Sequence, residues 1–107
     1  MGDLQLENGA TRTERKPAYY HLERCVEELK CERMAHGEAK HGRSNYKGGG
    51  SQFVLESYDH FVDHLLRAKE EPENAREHIS ALLANAHILA WHWINKPENF
   101  NLLWERK

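Results

Sequence analysis

Cysteine, proline and long apolar runs are all scarce in this chain. Cys25 and Cys31 are its two cysteines. Six positions apart in a helical pattern, they point to different faces, so neither a disulfide framework nor a zinc knuckle is supported. No apolar run approaches the ~20 residues of a membrane span, and the N-terminus has no signal-peptide apolar core. A membrane is therefore not an expected partner, and the cytoplasm is the expected location. Neither sign of charge is in excess, with 15 basic against 17 acidic residues and a net charge of -2. A nucleic-acid binder shows a basic surplus or a basic patch, so the expected partner is a small molecule or a protein. With 39% hydrophobic residues in 107, the core is thin, and association with copies of itself is expected.

What the chain does have is helical periodicity. Residues 1–16 show no lasting pattern and read as a flexible arm, leaving 17–107 as a single all-α domain. Pro17 suits the first turn of a helix, and Leu22, Cys25, Val26 and Leu29 follow the i, i+3, i+4, i+7 spacing of a buried stripe that Gly37 ends. Ser51 is placed as the N-cap of a second helix running to about Glu70, with Phe53, Leu55, Tyr58, Phe61, Val62, Leu65 and Leu66 inside. After the break at "EEPEN", a third helix from about Glu73 to Ile94 carries Ile79, Leu82, Leu83, Ala86, Leu89, Ala90 and Trp93. Pro97 stops it, and "NFNLLWERK" forms a short amphipathic tail. No segment reads as a strand, and the expected fold is an all-α bundle of three main helices and a short C-terminal one.

Acidic residues form columns on these helices. At ~100° per residue, Glu28 and Glu32 lie one turn apart beside the first stripe, and Glu56, Asp59 and Asp63 form a second column. Such columns either face water and pair with Lys and Arg, or face each other across a hard cation, Mg²⁺ or Mn²⁺. His78, Asn85 and His92 form a further column, either as bonds between helices or as one wall of a polar pocket. The eight histidines are too scattered for one metal cluster. Between the acidic helices runs "GEAKHGRSNYK", a Gly-rich loop with Lys40, Arg43 and Asn45. Phosphate donors next to a carboxylate-bound cation are what a nucleoside triphosphate requires.

The segment "GEAKHGRSNYKGG" resembles the "GA-x-K-Y-G-x-x-N-W-x-x-G" motif of phage dATP/dGTP diphosphohydrolases, members of the MazG-like all-α nucleoside triphosphate pyrophosphatases. "YDHFVDHLLRAKEE" is similar to the family's next motif at Asp59, His64 and Leu65, and "HISALLANAHIL" to the one after it at His78 and Asn85. His41 and Tyr46 stand where the family has Tyr and Trp, Asp63 where it has Arg, and Ala81 where it has a second His. The resemblance implies an oligomeric, divalent-metal-dependent enzyme of nucleotide metabolism that cleaves a deoxypurine triphosphate (dGTP or dATP) into monophosphate and pyrophosphate.

On that basis Glu28, Glu32, Glu56, Asp59 and Asp63 are the expected metal ligands, with Glu28, Glu32 and Asp59 carrying catalysis. Lys40 and Arg43 would meet the phosphates, Asn45, Tyr46 and Asn85 the base, and His64 and His78 the phosphate or the acids. The rival from another class is a non-catalytic helical protein that binds a host or phage partner. A histidine-aspartate phosphohydrolase ranks last, because His-Asp never occurs as adjacent residues in that order.

Overall fold

The computed structural model describes residues 23–106 in full, together with the backbone of two short strands before them. Residues 23–106 are entirely helical: α1 (Arg24–His41), α2 (Ser51–Glu70), α3 (Ala75–Asn95) and α4 (Asn101–Glu105), joined by short 3-10 turns at Asn45–Gly48, Pro72–Asn74 and Pro97–Phe100. In the segment expected to be an irregular arm, β1 (Asp3–Gln5) and β2 (Thr11–Thr13) pair antiparallel, Leu4 opposite Arg12. The rest of that arm, together with Pro17 and Leu22, lies outside the described residues.

Helix boundaries follow the local signals at both prolines, Pro72 and Pro97 each opening a 3-10 turn where a missing N–H costs nothing. They depart from expectation around α1. Its first helical residue is Arg24, and Gly37 lies inside the helix. The end comes at Gly42, whose φ of 96° is the conformation glycine adopts freely, and whose N–H bonds back to the Glu38 carbonyl at 2.8 Å. Lys40 and His41 thus belong to the last turn of α1, and the connecting loop is shorter than its composition suggested.

On α3 the core sits on a different face from the one the largest apolar residues mark, whereas on α2 buried Val54 shares its face with Phe61 and Leu65, two and three turns on. Buried on α2 are Val54 and Ser57, and on α3 His78, Ser80, Ala81, Ala84 and His92. Ala81 is 0% exposed, so small side chains let α2 and α3 pack closely along this seam. Tyr58, Leu65, Leu66, Ile79 and Trp93, expected inside, are exposed. No residue of α1 is buried, and Cys25 and Val26 of its expected stripe face solvent. No helix among the described residues is long and apolar enough to cross a membrane.

Candidate functional site

The site begins with a histidine that cannot be seen as functional from its surroundings in sequence. His92, 0% exposed near the end of α3, reaches across to the loop after α1. Its Nε2 lies 2.7 Å from the carbonyl oxygen of Tyr46, which can only accept, so Nε2 carries the proton. Its Nδ1 then accepts from the Asn99 amide at 3.1 Å, and the same amide nitrogen donates to the Gly49 carbonyl at 3.2 Å. Lys96 adds a bond to the Lys47 carbonyl at 2.9 Å. Gly49 has to be glycine, because a Cβ there would overlap the Phe53 side chain, which itself packs against the His92 ring. The second half of the loop is therefore fastened to α3 and to the turn after it.

Fastening the loop there holds Tyr46 edge-on to Trp91, with its hydroxyl 3.4 Å from His87 Nε2. It also closes one end of a cleft of about 540 Å³ between α1, α2 and α3. From α1 the cleft takes Arg33, Glu38, Lys40 and His41, from the loop Asn45 and Tyr46, from α2 Phe53, Glu56, Ser57, His60 and His64, and from α3 Asn85 and Ile88. Of the expected substrate-binding residues, Lys40, Asn45, Tyr46, His64 and Asn85 meet here, while Arg43 and His78 do not line the cleft. His78 stands one hydrogen bond behind it, on His64.

The expected metal ligands are not gathered. Glu32 is held by Arg76 of α3 in a two-bond pair at 2.8 and 2.9 Å. Both oxygens of Asp59 accept from Arg106 beyond α4. Asp63 pairs with Arg67 one turn on, at 3.2 Å. Glu28 is exposed and lines no part of the cleft, and only Glu56 of the set does so. Glu56 accepts a bond from Gln52 at 3.0 Å. Among the described residues no three His, Cys, Asp or Glu side chains converge as metal ligands would. The physical reason is the arginines: a bidentate guanidinium satisfies a carboxylate in much the way a cation would. Those pairs hold the carboxyls of Glu32 and Asp59 below their usual range, the hydrogen bond from arginine being the main cause.

Arg33, Glu38, His60 and Ser57 were missed as cleft residues. A signal existed for Arg33, Ser57 and His60. Arg33, Gly37, Lys40 and His41 share one face once α1 is allowed to pass Gly37, and Phe53, Ser57, His60 and His64 share one face of α2. No family model matches the chain, and no curated protein or solved structure matches it.

The ion pairs yield a direct expectation. Glu32→Gln and Asp59→Asn each remove an exposed pair outside the cleft, so any ligand binding in the cleft should be retained and the melting temperature nearly unchanged. Loss of binding in titration calorimetry with either variant would return these acids to the site.

Proposed function

We propose that the cleft binds a nucleoside triphosphate and that the protein hydrolyses it between the α and β phosphates. The deoxypurine substrate, the MazG-like assignment and a place in phage nucleotide metabolism come from the resemblance of the three sequence segments. The observation that carries the binding reading is the convergence of Arg33, Lys40, Tyr46 and Asn85 from separate elements on one cavity, whose volume of about 540 Å³ suits a ligand of nucleotide size.

The residues divide by chemistry. Arg33 and Lys40 offer donors and charge to phosphate oxygens, from the same side of α1. Tyr46 offers a ring edge beside a base. Asn85 donates to the Ala81 carbonyl at 2.9 Å, which leaves its side-chain oxygen and second N–H for a heterocycle. Glu38 and Glu56 are the cleft's carboxylates. Among the described residues the Mg²⁺ or Mn²⁺ that the resemblance implies has no converging donor set.

Incubating the purified protein with each dNTP and NTP plus Mg²⁺, and separating the products, tests the proposal. Monophosphate and pyrophosphate are expected, and Lys40→Ala should weaken binding about tenfold, or ~1.4 kcal/mol. Failure to bind or turn over any nucleotide would reject it. The aromatic cluster of exposed Trp93 and Trp104 with half-buried Phe100, ring centroids 5.6 to 5.9 Å apart, favours the second reading, a helical interaction protein. In that reading the same assay gives no product.

A further inference from the structure

We propose that Glu71, His78 and His64 form a hydrogen-bonded relay that presents Nε2 of His64 to the cleft as the base for the attacking water. The proposal rests on the hydrolytic reading above and adds to it the group that takes the proton. Its three members come from separate places: Glu71 from the turn between α2 and α3, His78 from the second turn of α3, and His64 from α2. Glu71 Oε1 is 3.0 Å from His78 Nε2, and His78 Nδ1 is 2.9 Å from His64 Nδ1.

A bond between two imidazole nitrogens requires one to donate and the other to accept, and the carboxylate decides which. Glu71 is held ionised by hydrogen bonds from His78 and Asn74, so it only accepts, and His78 Nε2 must donate to it. In the uncharged His78 ring, Nδ1 is then the acceptor. His64 Nδ1 must therefore carry the proton, which leaves the lone pair on Nε2. His64 lines the cleft, and among the described residues its Nε2 makes no hydrogen bond. Burial, the largest effect, together with the Arg33 charge holds the His64 ring below the usual imidazole range. His78 is buried, so the inner bond of the relay is shielded from solvent. The neighbouring carboxylate, Asp63, is turned to Arg67 and takes no part.

The step balances with water as the only co-reactant. The water oxygen bonds to the α-phosphorus while its proton passes to His64 Nε2. The bond from that phosphorus to the α–β bridging oxygen breaks, and its electron pair leaves with pyrophosphate. The positive charge formed on His64 is met by the His78 ring, whose far nitrogen bonds to Glu71. His64 is the catalytic residue here, and His78 and Glu71 are positioning residues.

The test uses the full chain, ¹⁵N-histidine NMR at neutral pH and steady-state kinetics with the best triphosphate of the product assay. His64 should show its proton on Nδ1, and Glu71→Gln should change that tautomer signal. His64→Gln should lower kcat at least a hundredfold with KM within threefold. Glu71→Gln should lower kcat about tenfold at unchanged KM while its melting temperature and circular dichroism match the parent protein, which separates a positioning role from loss of folded enzyme. Turnover by the parent protein together with undiminished kcat in His64→Gln would overturn the relay and leave the hydrolytic reading standing. A proton found on His64 Nε2 would overturn it whatever the activity. Absence of turnover in the parent protein would remove both.

Discussion

His92→Ala is expected to lower stability by about 3 kcal/mol and the melting temperature by about 15 °C. The cost has two parts. Removing a fully buried ring leaves a cavity between α3, Phe53 and Trp91, both of whose rings contact it. It also leaves the Tyr46 carbonyl without its donor and deprives the Asn99 amide of an acceptor. The loss should be concentrated at the loop, where amide exchange of Asn45–Gly48 should quicken well before that of α2, since local opening requires only the bonds that His92 and Asn99 supply. Because the loop carries Asn45 and Tyr46 into the cleft, ligand affinity should fall with stability. Thermal unfolding and exchange mass spectrometry check both parts. A variant that melts within 3 °C of the parent protein would show that the loop is held by other contacts.

Self-association is expected to be the second large effect. Light scattering should give a mass at least twice the 12.5 kDa of the chain at micromolar concentration. Leu66 is 56% exposed, Trp104 62% and Ile94 76%, and Val26, Leu65 and Trp93 are exposed as well. Scattered surface apolar residues are ordinary, but so many large ones on a chain this small mark surfaces that gain by being covered. Covering one Trp or Leu side chain contributes about 1.5–3 kcal/mol, enough that single charge substitutions should shift the equilibrium. Trp104→Glu or Leu66→Glu should therefore yield the smaller species at the same concentration while circular dichroism stays helical. A parent protein that runs as a clean monomer would mean that these side chains are left for a partner of another kind, and would favour the interaction reading.

Much of the secondary structure was legible without coordinates. Ser51 to Glu70 reads as α2 from its apolar spacing and from the glycines before it, and Pro72 and Pro97 mark the turns that border α3. These are local signals, set by backbone sterics and missing donors, and they survive whatever the rest of the chain does. The end of α1 was less legible. A helical Gly37 costs only about 1 kcal/mol, so neighbours on both sides carry the helix through to Gly42.

The candidate site was legible in part. Lys40 and Asn45 could be picked out in the Gly-rich segment, Asn85 beside a helix stripe, and Tyr46 and His64 from the family resemblance, and they do share one cleft. The acids could not be assigned, because a column of carboxylates has the same spacing whether its partners are cations in solution or arginines of the chain. Arg76 lies 44 positions from Glu32, and Arg106 lies 47 from Asp59. Helix periodicity gives no information on pairs so distant.

By itself, then, the sequence determined that the domain is built of helices, that turns fall at Pro72 and Pro97, and which polar residues border the helices. Only the tertiary structure decided which side of each helix is inside. Ala81 and Ala84 are small enough for α3 to meet α2 along them, so the larger Ile79 and Trp93 on its other side were left outside by geometry despite their greater hydrophobicity. It likewise decided the partners of the buried histidines, His92 on the loop and His78 between Glu71 and His64, because such bonds depend on distances across the fold that no local preference encodes, whereas Ser57 and Ser80 bond within their own helices.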